Sequence, residues 1–292
     1  MTELLARLWI ALINTTAHWS VAARARLAAP TGDLLWLLAR PRRRVVLANL
    51  RVCFPQIAES ERLAFGRRLC RKIARGVLDY SVLWRGSRAE VERLVRIEGA
   101  DHVTDPANRP LVLLAPHFVG LDAGGLRLNT LVRGVSIYAT QSNAAWDEQL
   151  FAGRQRFNDP VLIPRRGAAE LKSVIRAMKD GLPLYYLPDM DLGATNSIFV
   201  PFFGVTAATI PMVSRLARAI DAKVMMAVTE MTDDGYVLHL EAPWRDFPGA
   251  SVEQDTERMN REIERWVLHL PDQYLWTHKR FKTRPPGTPP FY

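Results

Sequence analysis

The sequence predicts an α/β protein: a mainly parallel mixed sheet flanked by helices, with an N-terminal helical, membrane-associating extension. Three observations carry this. Residues 4–94 read as helix, in long Leu/Ala/Arg-rich runs such as Glu59 to Trp84. From Val95 onward, short β-rich runs alternate with amphipathic segments, the pattern of βα units. The composition, 48% hydrophobic and 24% charged over 292 residues, supplies enough apolar material for a large core and excludes a disordered or fibrous chain.

The first segment, MTELLARLWIALINTTAHW, places Leu4, Leu5, Leu8, Trp9, Leu12 and Ile13 at helical spacing. It lacks the leading charge and small-residue cleavage site of a signal peptide, and it falls short of the about 20 apolar residues of a spanning helix. With Trp19 and Trp36 as interfacial aromatics, residues 4–27 are expected to form a helix lying in or dipping into a bilayer surface. The plainer alternative is an amphipathic helix packed on the core. Pro30, Pro41 and Pro55 are expected to mark helix joints. Arg68, Lys72 and Arg75, with Arg71 beside them, fall on one helix face with little nearby acid, a surface suited to an anionic partner.

Strands are expected at Leu111–Ala115, Val135–Thr140, Val161–Pro164, Leu184–Leu187, Ile198–Phe202, Val224–Thr229 and Tyr236–Leu240. Helices are expected at Ala168–Lys179, Met212–Ile220 and Glu253–Leu270, before a proline-rich tail. Residues 1–94 thus form a helical region and residues 95–292 an α/β core, running on as one continuous domain with the helices before it.

The net charge of +9, from 39 Lys+Arg against 30 Asp+Glu, points to an anionic partner. The basic run from His278 to Lys282 sits in no recognised nucleic-acid module, so phosphate on a lipid is the simpler target. Cys53 and Cys70 are too few for a disulfide scaffold or a cysteine-based zinc site. No nucleophile elbow, Walker loop or dinucleotide fingerprint is present.

Three segments carry candidate chemistry. In the first, an apolar strand runs into Pro116-His117-Phe118, which places an imidazole at the carboxyl end of a strand. Asp122 follows five residues later. On a continuous helix the two would point about 140° apart, so they meet only if His117 lies in the turn and Asp122 in the first helical turn. A carboxylate there would fix the tautomer and make the other nitrogen more basic. In the second, Arg165 and Arg166 stand between a strand and a helix start, a natural place for phosphate or carboxylate. In the third, Asp189 and Asp191 follow a strand, where an Asp-x-Asp pair could hold substrate hydroxyls, an arginine or a divalent metal. The scattered His18, His102, His239, His269 and His278 suggest structural roles.

Beyond these residues, the chain resembles the late acyltransferases of lipid A biosynthesis, the lauroyl/myristoyl group of the lysophospholipid acyltransferase superfamily. The likeness rests on Asn49-Leu50-Arg51-Val52-Cys53-Phe54-Pro55, His117 through Asp122, Pro188-Asp189-Met190-Asp191, Phe199 through Gly204, and Gln273 through Pro285. The superfamily's H-x-x-x-x-D motif falls on His117 and Asp122. The resemblance implies transfer of a fatty acyl group from acyl carrier protein to a hydroxyl of a Kdo-bearing, phosphorylated lipid A precursor, at the cytoplasmic face of the bacterial inner membrane. It implies His117 as general base oriented by Asp122, and Arg165 or Arg166, with Asp189 and Asp191, as substrate contacts. It implies no cofactor and no metal, acyl carrier protein being a co-substrate, and no nucleic acid. Tyr138-Ala139-Thr140-Gln141 stands where relatives often carry Tyr-Arg-Pro, and Asp189-Met190-Asp191 replaces the superfamily's Glu-Gly-Thr block. The competing readings are a metal-dependent glycosyltransferase using Asp189 and Asp191, another phospholipid or glycolipid acyltransferase, and a non-catalytic adaptor bound to anionic lipid.

Overall fold

A computed structural model describes residues 2–165 and 168–292. The N-terminal third is helical: α1 (Glu3–Thr15), a short 3-10 turn, α2 (Val21–Leu38), α3 (Arg40–Cys53), α4 (Glu59–Arg85) and α5 (Arg88–Leu94). The chain then runs through β1 (Val95–Glu98), α6 (Ala100–Thr104), β2 (Leu111–Leu114), α7 (Leu121–Leu131), β3 (Val135–Tyr138) and α8 (Ala144–Arg154). Next come β4 (Val161–Pro164), α9 (Ala168–Lys179), β5 (Leu184–Tyr186), β6 (Ile198–Phe202) and β7 (Val205–Thr209). The last elements are α10 (Met212–Ile220), β8 (Lys223–Thr232), β9 (Gly235–Leu240) and α11 (Val252–His269).

Among the described residues, seven strands form one sheet in the order β1-β9-β8-β2-β5-β3-β4. Every neighbouring pair is parallel except β8 with β9. This is the expected α/β architecture, with two differences. Ile198–Phe202 does not join the sheet; it forms a separate antiparallel hairpin with β7, an element the sequence pattern did not suggest. Val95–Glu98 adds an edge strand beside β9.

β2 lies at the centre of the sheet. All four of its residues are buried, which is why its sequence is a continuous apolar run rather than an alternating one. Its even positions, Val112 and Leu114, pack with Leu50 and Leu69 of the N-terminal helices and with Met178 and Ile263, while Leu111 and Leu113 face a second core with Leu126 of α7. On that second side α7 settles closely onto β8 through Gly124. A Cβ there would stand 1.9 Å from Thr229 Oγ1, so only glycine permits the approach.

The N-terminal helices depart from expectation. The predicted helix over residues 4–27 is two helices, divided at Trp19-Ser20 where the Ser20 hydroxyl caps α2. Pro30 is not a joint but lies inside α2. α2 continues past it because it crosses α4 in intimate contact: a Cβ on Gly32 would stand 2.4 Å from Arg71 Cα. At the same crossing Asp33 accepts paired hydrogen bonds from both Arg67 and Arg71. Pro41 sits at the start of α3, where its missing N–H costs nothing, and Pro55 follows that helix's end.

The basic face of α4 is also different from expectation, because each cation has a carboxylate. Arg68 and Lys72 share Asp272, Arg71 takes Asp33, and Arg75 takes Asp79. Asp79 is fully buried, and besides Arg75 it accepts Arg24 Nε at 2.6 Å and the Tyr236 hydroxyl at 2.7 Å, tying α2 and α4 to β9.

Buried ion pairs of this kind are destabilising to break, because the surviving charge is left without compensation. Asp79→Ala is expected to lower the unfolding free energy by about 3–5 kcal/mol, read from urea titration. The triple variant Arg24→Met/Arg75→Met/Asp79→Leu, which removes both cations with the carboxylate, should recover a large part of that loss.

Candidate active site

His117 stands three residues beyond the end of β2, and Asp189 three residues beyond the end of the adjacent β5. The two strands run parallel with Val112 opposite Leu184 and Leu114 opposite Tyr186. Continuing that register past the strand ends brings residue 117 level with residue 189. The Asp189 carboxylate takes the His117 backbone N–H at 3.0 Å through Oδ2, and its Oδ1 lies 2.7 Å from His117 Nδ1. Burial pushes the Asp189 carboxyl up, but the facing His117 and its two hydrogen bonds outweigh this and hold it well below the usual carboxylate range.

The expected pairing of His117 with Asp122 is therefore corrected: the carboxylate on the ring nitrogen belongs to Asp189. Asp122 does lie in the first turn of α7, as the punctuation by Pro116 and Gly120 suggested. Its oxygens, however, accept the Tyr80 hydroxyl and the guanidinium of Arg154, the latter at 2.8 and 3.0 Å. Burial raises the Asp122 carboxyl, and Arg154 with Tyr80 more than offsets it, so Asp122 stays ionised. Arg154 ends α8, and the residue before it explains how it reaches: a Cβ on Gly153 would stand 2.5 Å from Trp84 Cδ1, so glycine alone lets the end of α8 lie against α4.

His117 and Asp122 share one cavity of about 440 Å³, which Tyr80, Tyr138, Arg154 and Arg165 also line. Apolar side chains, among them Ile73, Val77, Leu187 and Met190, make up much of the remaining wall. With Nδ1 committed to Asp189, Nε2 is the nitrogen left for a reacting proton. Asp189 fixes the orientation of the ring, and a carboxylate in that position is the group that can stabilise a charged imidazole. Arg165 reaches the cavity from the end of β4, its backbone N–H bonded to the Tyr138 carbonyl. Arg166 lies outside the described residues.

Asp189 and Asp191, expected to contact substrate, spend their carboxylates on the protein. Asp191 is buried and accepts the Thr283 backbone N–H at 2.6 Å and the Thr283 hydroxyl at 2.7 Å. Its work is to anchor the C-terminal tail, and that tail closes the back of the site. Gln273 O accepts the Val119 N–H, and the Leu275 N–H donates to His117 O, so the turn carrying the imidazole is clamped on both sides. Buried Asn49 of α3 donates to the carbonyls of both Trp276 and His278 at 2.8 Å, holding the tail from beneath. Because Asp189 and Asp191 face different partners, they do not present the paired carboxylates that the glycosyltransferase reading requires.

Sequence reasoning missed Tyr80 and Arg154, which sit in helices with no local signal to set them apart, and it gave His278 a merely structural part. The His278 ring packs edge-on against that of His117, with centroids 4.7 Å apart and planes at 82°. Burial, then repulsion from His117 and Arg42, pushes the His278 imidazole down to about 4. His278 is therefore neutral near pH 7 and places no fixed cation beside the His117 ring.

A family model described as bacterial lipid A biosynthesis acyltransferase matches residues 3–283. The chain is 30% identical over 296 residues to the lipid A biosynthesis lauroyltransferase of Escherichia coli (strain K12), covering 98% of this chain and 95% of that protein. It is 29% identical to the lipid A biosynthesis palmitoleoyltransferase of the same organism, covering 89% and 87%. It is 26% identical to the lipid A biosynthesis myristoyltransferase of that organism, covering 96% and 89%.

The depressed basicity of His278 has a consequence for stability. Below about pH 6.5 the unfolded chain binds a proton at this position that the folded chain refuses until about pH 4, so stability falls as pH drops through that window. Wild-type protein is expected to lose about 3 kcal/mol more than His278→Phe across it, measured by urea unfolding at stepped pH.

Proposed function

Because the chain belongs to the bacterial lipid A biosynthesis acyltransferase family and is an acyltransferase of that pathway, we propose the following reaction: it moves a fatty acyl group from acyl carrier protein to a hydroxyl on a Kdo-bearing, phosphorylated lipid A precursor. The observation that carries this reading is the imidazole at the strand end, backed through Nδ1 by buried Asp189 and open through its other edge to a largely apolar cavity.

His117 Nε2 takes the proton of the acceptor hydroxyl as its oxygen attacks the thioester carbonyl. The C–O bond forms, the C–S bond breaks, and the imidazolium returns its proton to the departing carrier thiolate. Asp189 stabilises the imidazolium through Nδ1–H without itself becoming protonated. Asp122 keeps Arg154 extended at the cavity wall, and Arg154 and Arg165 supply positive charge for the oxyanion or for a sugar phosphate. No acyl-enzyme is needed, since the acceptor oxygen attacks directly. Cys53, the thiol in the resembled motif, is buried with its basicity pushed up by burial, and is unsuited to nucleophilic work.

The reaction brings a lipid acceptor to the inner membrane's cytoplasmic face, and the surface of the N-terminal helices supports that location. No helix among the described residues is long and apolar enough to cross a membrane. α1 instead has two apolar stripes: Ala6, Ile10 and Ile13 pack inward, while Leu4, Leu5, Leu8, Trp9 and Leu12 face outward. α2 exposes Leu34, Leu35, Leu37 and Leu38, and Arg40, Arg42 and Arg44 follow on the surface directly after them. Apolar side chains bordered by arginine suit an interface with anionic lipid headgroups. This, rather than the neutralised face of α4, is the basic surface suited to an anionic partner.

His117→Ala is expected to fold normally and lose transfer from acyl carrier protein by about 10³-fold or more. The check is mass spectrometry of lipid A from cells lacking the protein and complemented with each form; a secondary acyl chain restored by the variant rejects His117 as base. Leu8→Glu/Trp9→Glu is expected to leave melting temperature unchanged and to abolish flotation with phosphatidylglycerol vesicles.

A further inference from the structure

Tyr80, Asp122 and Arg154 line the His117 cavity together, but their own contacts do not account for where they stand. Arg154 is the last residue of α8 and carries a long, flexible side chain. A small void of about 10 Å³, bordered by Trp84, Leu150, Gly153 and Arg154 among others, lies beside it, so close packing does not by itself confine the guanidinium. Its reach to Asp122 depends on where the end of α8 lies. The reach of the Tyr80 hydroxyl depends on how its ring is seated.

Trp84 governs both. It is buried one turn beyond Tyr80 on α4, and its ring stacks on that of Tyr80 with centroids 4.8 Å apart and planes at 14°. The same indole meets α8 at two places two turns apart, edge-on to Trp146 with centroids at 5.7 Å and against Gly153, the residue before Arg154. Arg156, just past the end of α8, donates to Leu83 O at 2.5 Å and to Gly86 O, which fixes that end beside Trp84. Trp84 also shares a small core with Ala6, Ile10 and Ile13 of α1 and with Ala145 of α8. α1 is held there at both ends: Glu3 accepts the Ala144 N–H at 3.1 Å, and the Thr16 hydroxyl donates to Ser81 Oγ at 3.1 Å, one turn before Trp84.

We propose that Trp84 is a positioning residue for acyl transfer: it seats Tyr80 and Arg154 on Asp122, and it rests in turn on the inner stripe of α1, the helix whose outer leucines are exposed. The inference rests on the acyl-transfer reading above, in which Arg154 supplies positive charge at the cavity wall. Two features set Trp84 apart from a residue that merely fills space. It lies flat on a phenol whose hydroxyl is bonded inside the cavity, and it abuts the residue next to the guanidinium that bonds the same carboxylate. Both contacts converge on Asp122 from different helices, so a shift of the indole moves both of its partners at once. A misplacement of about 1 Å at a site of this kind costs up to about 100-fold in rate, although nothing that reacts has been removed.

The test is a double-mutant cycle on kcat with Trp84→Ala, Arg154→Ala and their combination. The donor is acyl carrier protein bearing whichever of the decanoyl, lauroyl, myristoyl or palmitoyl chains wild type transfers fastest, and the acceptor is a Kdo-bearing lipid A precursor. Trp84→Ala is expected to lower kcat by about 10- to 100-fold. In the Arg154→Ala background the same change is expected to cost less than about 2-fold more, because Trp84 acts through the guanidinium. Trp84→Phe, which keeps a ring to stack on Tyr80, is expected to restore most of the lost rate. Gly153→Ala pushes on the indole from α8 and repeats the cycle should Trp84→Ala fail to fold. Ile10→Ala, with the outer stripe of α1 intact, is expected to float with phosphatidylglycerol vesicles as wild type does and still to lose kcat, again only while Arg154 is present. Losses at Trp84 and Arg154 that multiply overturn the proposal, as does an unchanged kcat in any of the single variants Trp84→Ala, Arg154→Ala or Ile10→Ala. If wild type transfers no chain from any of these donors, the acyl-transfer reading itself has failed, an outcome distinct from multiplying losses.

Discussion

The hydrogen bond between His117 Nδ1 and Asp189 is the constraint around which the rest of this site is built. It forms where two parallel strands release the chain, and the strand register aligns the two residues before any side chain chooses a rotamer. Because Asp189 also takes the His117 backbone N–H, both the ring and the peptide that carries it are held by one buried carboxylate. A buried charge of this sort is tolerable only when fully partnered. The surrounding elements serve that requirement: the tail clamps the turn through Gln273 and Leu275, and Asp191 and Asn49 hold the tail.

A second carboxylate stands in the same cavity under a different regime. Asp122 is kept ionised chiefly by a guanidinium and a phenol, with a smaller contribution from His117, and these two come from α8 and α4. The site therefore carries two separately stabilised anions and one base. One anion is committed to the ring; the other is committed to a cation that lines the same cavity. The Arg154–Asp122–Tyr80 contacts link the positions of α8 and α4 to the electrostatics of the cavity. Since α1 packs against both α4 and α8 and presents leucines outward, that exposed apolar surface and the cavity holding His117 are joined by a single helical layer.

Glycine packing illustrates how packing distance, more than side-chain chemistry, shapes the cavity. Gly153 lets Arg154 reach Asp122, and Gly124 lets α7 close over β8 while its neighbour leaves room beside β5. Substituting any of them alters the cavity without touching a reacting group.

Much of this was legible in the residues alone. The unbroken apolar run before Pro116 marks a central buried strand, so His117 had to lie at a strand's carboxyl end, and the later strands and helices follow from hydrophobic period. The family likeness followed from short blocks spread along the chain, and the apolar stripe of α1 from its helical spacing. The partner of His117 was another matter. Asp122 is five residues away in sequence and Asp189 seventy-two, and choosing between them requires knowing that β5, not another strand, lies beside β2 and in which register. The same holds for the arginines of α4, whose acids Asp33 and Asp272 come from remote segments, and for Pro30, which a helix crossing holds inside α2. Local sequence dictates which groups a strand end or helix face presents, because that depends on backbone period. What each group meets depends on strand order, crossing distance and loop closure, and these emerge only when the whole chain has packed.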